Sequence, residues 1–201
     1  MKLSIKIESI DYGDAAVKLL PLLADAPEGY PGTFGKKISA LAGLSEAQIR
    51  DSLTPLSSKE KAELLSGFAA ECEDALLSMI NQKLSSRKIG VTVTGFTVDS
   101  DLTVTAHLGQ LDYPGLVNRF LPAVRKKLLN MGGPAALLRP MIEKASAEQI
   151  CGLLDRFAGS NKDAFLASLI NQNQKKLVSY IEKAAKKERI PLKIHSVHAE
   201  A

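Results

Sequence analysis

The chain contains three histidines and two cysteines, the side chains best suited to metal binding or nucleophilic chemistry. His107 and His195 fall on the polar faces of two stretches with strand periodicity, so adjacent strands would bring them close. Zinc requires three or four converging ligands, and no cysteine or carboxylate cluster accompanies these imidazoles at ligand spacing. We therefore predict no metal site and interpret His107 and His195 as binding candidates on a solvated sheet face.

Nucleophilic catalysis has little support in the sequence. Cys72 lies on an apolar helical stripe and Cys151 has no histidine near it in the sequence, which is typical of inert thiols. The chain contains neither a GxSxG nucleophile motif nor a glycine-rich phosphate-binding motif. The repeated Asp-Tyr pairs at 11–12 and 112–113 suit helix caps. We expect a non-enzymatic protein without a cofactor.

Charge is unevenly distributed and indicates a second kind of site. Residues 1–100 carry 11 basic and 13 acidic side chains, whereas residues 101–201 carry 15 and 9. Much of the basic excess lies on a predicted long helix, where Lys176, Lys183 and Lys187 recur at spacings that place them on one face. We call these three residues the lysine stripe. Such a stripe is either a solvated helix flank or a surface that binds phosphates or acidic groups.

The same predicted helix carries an apolar seam with a polar residue at its centre. Four-three spacing, as in coiled coils, joins Leu166, Ile170, Asn173, Leu177 and Tyr180. An amide inside such a seam either sets the register of helix packing or offers a polar group to a ligand in an apolar pocket. Asn173 is therefore a binding candidate in a groove between the long helices and the sheet.

The elements that position these candidates repeat after 101 residues, without a gap. Asp11, Leu20 and Ser45, for example, align with Asp112, Leu121 and Ser146. The repeat predicts two modules, residues 1–100 and 101–201, that form one compact unit with pseudo-two-fold symmetry, equivalent to a homodimer on one chain.

Each module has the pattern β-α-α-α-β, so the predicted fold class is α+β. Strands with period-two alternation open and close each module, and both closing strands change phase, at Gly95 and Ser196, as a β-bulge would require. Ser57 begins a predicted helix of about 30 residues, and helices should kink or stop at Pro21 and Pro122. Pairing across the pseudo-dyad predicts a four-stranded antiparallel sheet of order 2-3-1-4 or 3-2-4-1, with long helices on one face.

Composition limits the possible functions further. No apolar run approaches the roughly 20 residues of a membrane span, and two distant cysteines suit the cytoplasm. Tryptophan is absent and aromatic residues make up 5%, which leaves few side chains to stack on nucleobases. We predict a cytoplasmic, non-enzymatic binding or scaffold protein with a groove for a small apolar molecule or a protein partner. The alternative is binding of nucleic acid or another polyanion through the basic second repeat.

Overall fold

A computed structural model of the chain contains four strands and eight helices in its described residues. The strands are β1 (Lys2–Ile10), β2 (Val93–Val98), β3 (Thr103–Leu108) and β4 (Leu192–Glu200). The helices are α1 (Tyr12–Leu19), α2 (Glu46–Leu53), α3 (Ser58–Glu71), α4 (Glu73–Ser86), α5 (Tyr113–Leu129), α6 (Ala147–Ala158), α7 (Lys162–Gln172) and α8 (Gln174–Lys187). The structure describes residues 1–20, 40–41, 43–129, 140, 143–158 and 161–201, without the side chains at 120, 123–124, 126–129, 153–154 and 157–158.

All four strands join one antiparallel sheet in the order β2-β3-β1-β4. The predicted α+β class is confirmed, and the observed order is one of the two predicted. At the centre of the sheet Ser4 of β1 pairs with Thr105 of β3, and their hydroxyl oxygens lie 3.3 Å apart. A hairpin joins β2 to β3, where the Asp99 amide donates to the Thr103 carbonyl at 2.9 Å.

Both outer strands contain the predicted irregularity. The pairing ladder passes over Thr94 in β2 and over His195 in β4, so each is the extra residue of a β-bulge. These positions directly precede Gly95 and Ser196, where the sequence changes phase. Beyond the bulge in β4, Val197 is 1% exposed, so the change of phase places it in the core.

Side-chain caps explain where several helices begin. The Asp11 carboxylate accepts from the Asp14 amide at 2.9 Å, and the Asp112 carboxylate accepts from the Gly115 amide at 3.0 Å. Ser57 opens α3 with a reciprocal capping box, in which serine and glutamate side chains each bond the other's backbone. Both Asp-Tyr pairs thus begin helices, as their residue types predict.

The prediction of one helix of about 30 residues in each half is wrong. Cys72 interrupts the first at φ −109°, ψ 16°, and Asn173 interrupts the second at φ −111°, ψ 19°. Two helices result in each half: α3 and α4 both pack on β2, and α7 and α8 both pack on β4. A straight helix of that length would span roughly 45 Å, whereas a six-residue strand spans about 20 Å. Only an interrupted helix can keep both of its ends on one strand.

The structure describes one of the two prolines at which the sequence predicts a kink or a stop. α5 contains Pro122 in its interior and runs on to Leu129, so a stop at Pro122 is wrong. The amide that proline lacks would have bonded to the carbonyl of Asn118, an exposed position where water can replace it. Pro21 and the turns predicted at 29–32 and 132–134 lie outside the described residues.

Side chains from the helices cover the free edges of the sheet. The Asn81 amide group bonds both the N–H and the C=O of Val93 on β2, each at 2.8 Å. Asn171 does the same for Ala199 on β4, with both bonds at 2.9 Å. Because unpaired edge groups invite pairing with other chains, these amides protect the sheet against edge-to-edge association.

The first half of the chain contains a cluster of buried apolar residues between its helices. This cluster comprises Leu20, Ile49, Leu53, Phe68, Cys72 and Leu76. Phe96 of β2 packs against the cluster, which ties the helical layer to the sheet. The cluster's members from α3 and α4 lie against residues of α1 and α2, and a cavity lies between α1, α2 and α3.

Candidate functional site

A small apolar cavity of about 60 Å³ lies between α1, α2 and α3. Its walls are almost entirely apolar, with Ala16, Leu53 and Phe68 among the lining residues. The volume is several times the roughly 10–15 Å³ that one water molecule needs, and a water there would have few polar partners. The cavity is therefore suited to an apolar group.

Two polar side chains, Tyr12 and Lys61, also line this cavity. Burial raises the pKa of the Tyr12 hydroxyl, which stays protonated and able to donate a hydrogen bond at neutral pH. Lys61 is half-buried and forms no ion pair with another described residue. An apolar chamber with a few polar groups is the usual composition of a small-molecule site.

A wider, open cleft of about 530 Å³ lies where the end of α4 meets the start of α5. Lys88 and Arg119 line it, together with the Asp112 carboxylate that caps α5. Charges of both signs thus face the same space.

The lysine stripe lies on α8, where all three of its members are exposed. None of them forms an ion pair with another described residue. Tyr180 lies on the same face, since Lys176, Tyr180, Lys183 and Lys187 fall within about 60° of arc at 3.6 residues per turn. Tyr180 is 65% exposed, so it belongs to this basic surface and not to a buried seam.

The seam prediction is therefore wrong for the second half, and Asn173 does not lie in an apolar pocket. Asn173 is exposed at the junction of α7 and α8, and its side-chain amide donates to the Leu169 carbonyl at 2.8 Å. A bond from an asparagine side chain to the carbonyl four residues earlier competes with helical backbone bonding. This bond gives Asn173 a local role at the helix interruption.

The two candidate histidines lie apart. His107 pairs with Lys2, whereas His195 is the bulge residue next to Ser196, which pairs with Lys6. Four residues of β1 separate these levels, which is about 13 Å along the strand, and β1 itself lies between β3 and β4. Among the described residues, no group of three His, Cys, Asp or Glu side chains could hold a metal ion.

A polar cluster joins α5, α6 and α7 in the second half. The Tyr113 hydroxyl donates to the Asp163 carboxylate, and Lys162 pairs with Asp155 while lying 5.5 Å from the centre of the Tyr113 ring. Burial raises the pKa of the nearby Cys151 thiol, and the Asp155 carboxylate adds to this effect. A thiol with a raised pKa is ionised less at neutral pH, which disfavours Cys151 as a nucleophile.

None of the helices in the described part of the chain has the length and hydropathy that a bilayer crossing requires. Searches with the whole sequence and structure found no match among known protein families, curated proteins or solved structures.

Sequence reasoning missed the residues that define the apolar cavity and those that cover the sheet edges. Tyr12 of α1 and Lys61 of α3 line the same cavity only because these helices pack together, and no local motif predicts that packing. Asn81 and Asn171 did leave a trace, since each is an amide on an otherwise amphipathic helix that packs on the sheet. Such a residue needs a buried polar partner, and a free strand edge offers one.

Proposed function

We propose that this protein is a non-enzymatic, cytoplasmic binding protein whose ligand is a small apolar molecule or the apolar end of a larger one. The observation that carries the proposal is the apolar cavity between α1, α2 and α3. Tyr12 and Lys61 would orient the ligand by contacting a polar group at one end of it. Support for a reducing compartment comes from the cysteine content, since two cysteines far apart in the sequence suit the cytoplasm.

Binding of a neutral apolar dye tests the cavity. N-phenyl-1-naphthylamine should bind with enhanced fluorescence, and Ala16→Leu should weaken its binding at least about tenfold, because the added carbons occupy part of the cavity. Ala75→Leu, at an exposed position of α4, is the matched control and should bind the dye as the unchanged protein does. Unaltered dye binding by Ala16→Leu would show that the dye binds elsewhere.

Native mass spectrometry of the purified protein complements the dye. A retained ligand would appear as a constant added mass. The Ala16→Leu variant should lose this mass and should still unfold cooperatively on heating, which shows that it is folded. If the added mass persists in Ala16→Leu, the ligand does not occupy this cavity.

Binding of a polyanion, such as nucleic acid, through the second half is the second candidate function. The observation that favours it is the lysine stripe, exposed and aligned on α8. Replacing Lys176, Lys183 and Lys187 by Gln should reduce the slope of log affinity against log salt for RNA or DNA by about 3. Unchanged affinity in that triple variant would exclude this function.

We also propose that the chain is a tandem duplication with pseudo-two-fold symmetry, in which residues 1–100 and 101–201 form one unit. Support comes from the element order, which in the described residues of each half is one strand, four helices and one strand. Strand pairing agrees, because Lys2 pairs with His107 and Lys6 pairs with Thr103, as a two-fold axis through Ser4 and Thr105 would require.

A further inference from the structure

In the described part of the chain, the large apolar side chains that are exposed all belong to α7 and α8. Phe165 and Leu169 are each 40% exposed on α7, and Tyr180 is 65% exposed on α8. Phe165 and Leu169 are one turn apart, and Tyr180 lies within the lysine stripe. We call this surface the outer face, and its residues are Phe165, Leu169, Lys176, Tyr180, Lys183 and Lys187.

The outer face points away from the sheet. Each exposed apolar residue precedes by two positions a residue that is buried or bonded to β4: Ala167 is buried, Asn171 bonds Ala199, and Glu182 bonds Ile194. Two residues are about 200° of helical rotation, so the outer face and the sheet-facing side are opposite.

The equivalent surface of the first half is built differently. Phe68, which aligns with Leu169, is 6% exposed and belongs to the buried cluster. Ala75, Gln82 and Ser86 stand where the second half has the lysine stripe. In the first half, these helices bury the equivalent apolar residue and carry uncharged residues at the positions of the lysine stripe. The composition of the outer face is therefore particular to the second half.

We infer that the outer face docks on the surface of an anionic lipid bilayer. Lysine ammonium groups beside exposed aromatic and aliphatic side chains match the two layers of such a surface, with charge at the headgroups and apolar groups below them. Leu169 has no role in stacking on bases, so it fits a bilayer better than a nucleic acid. Partner helices are usually bound in a groove, whereas the outer face lies on the side of two consecutive helices that is opposite the sheet.

This inference deepens the second candidate function by naming the polyanion, and it is independent of the apolar cavity. The full chain would be sedimented with vesicles of phosphatidylcholine alone and with vesicles of phosphatidylcholine and phosphatidylglycerol in equal parts. We expect binding to the anionic vesicles only, and a decline as salt is raised, because lysines near such a membrane each contribute a salt-sensitive attraction.

Three variants test the surface itself. Introducing the first-half residues, as Lys176→Ala, Lys183→Gln and Lys187→Ser, should weaken vesicle binding about a hundredfold. Tyr180→Ser should weaken it several-fold and keep the fold, because Tyr180 is mostly exposed. Replacing Lys2, Lys88 and Lys193 by Gln removes the same charge from exposed positions off the outer face, and it should leave binding nearly unchanged.

Each alternative result has a definite meaning. Equal losses in the two triple variants would show a diffuse attraction of net charge and overturn the inference, as would a failure to bind anionic vesicles. If Tyr180→Ser lowers affinity for single-stranded RNA and does not change vesicle binding, the outer face is a nucleic-acid site. Dye binding in the cavity should be normal in every one of these variants, so the two functions fail separately.

Discussion

Single asparagine side chains hold the helices to the edges of the sheet. Asn171 bonds both the backbone N–H and the C=O of Ala199 on β4, and Asn81 does the same for Val93 on β2. Two hydrogen bonds from one side chain position a helix along a strand as well as stabilising it. The loss of such a residue leaves two backbone groups of an edge strand without partners.

Asn171→Ala should therefore lower the free energy of unfolding by about 1–3 kcal/mol, the cost of leaving buried polar groups unsatisfied. Urea denaturation followed by circular dichroism measures this change. Ser179→Ala, at an exposed position on α8, should stay within about 0.5 kcal/mol of the unchanged protein. Equal effects of the two substitutions would mean that the edge bonds contribute nothing to stability.

Tyr113 should make stability depend on alkaline pH. Burial, together with the hydrogen bond to Asp163, raises the pKa of the Tyr113 hydroxyl above its ordinary value of about 10. The unfolded chain therefore ionises first, so the stabilising effect is complete below about pH 10 and is lost as the pH rises through the folded-state pKa.

Thermal unfolding of wild type and Tyr113→Phe at neutral and strongly alkaline pH checks this expectation. The difference in Tm between the two proteins should be largest at neutral pH and should shrink as the pH rises above about 10. A difference that stays constant over that range would contradict it.

At the scale of elements, caps decide where helices begin, and packing against the sheet decides how long they continue. Cys72 and Asn173 interrupt helices whose sequence pattern runs on without a break. Ser57 opens α3 with a capping box, and its neighbour Ser58 is the first residue of the helix proper.

Ser57→Ala should cost about 1 kcal/mol of stability, because it removes the oxygen that accepts from the Glu60 amide. Ser58→Ala is the matched control and should be neutral or slightly stabilising, since alanine is the better helix former at an exposed position. Urea denaturation distinguishes them. A cost at Ser58 equal to that at Ser57 would show that the cap is not the cause.

At the scale of the whole molecule, the two halves share one sheet. β1 belongs to the first half, yet both of its neighbours, β3 and β4, belong to the second. An ion pair also joins the two halves. The Glu188 carboxylate lies 3.1 Å from the Lys83 ammonium nitrogen and 3.9 Å from a guanidinium nitrogen of Arg87. This hydrogen-bonded pairing with Lys83 lowers the pKa of the Glu188 carboxyl.

A fragment of residues 1–100 should therefore not fold as a monomer. It contains β1 and β2, which do not neighbour each other in the sheet, so neither strand would have its partner. Light scattering and circular dichroism should find the fragment either unfolded or dimeric, with a second copy supplying the missing strands. A folded monomer would contradict the proposed pseudo-dimeric architecture.

The sequence by itself determined the features that depend on near neighbours in the chain. The alternation of β1, the caps at Asp11 and Ser57, and the phase changes at Gly95 and Ser196 each rest on local backbone and side-chain preferences. The sequence also reduced the sheet order to two alternatives, because matching strand patterns 101 residues apart leave few ways to pair four strands.

Only the tertiary structure decided which helical residues are buried. Cys72 and Asn173 align at the 101-residue spacing, yet Cys72 is buried and Asn173 is exposed, because burial depends on which elements pack above each helix. The same reason puts Tyr180 among the lysines and brings Tyr12 and Lys61 to one cavity. Periodicity gives the direction of a side chain around its helix axis, and only packing gives what it faces.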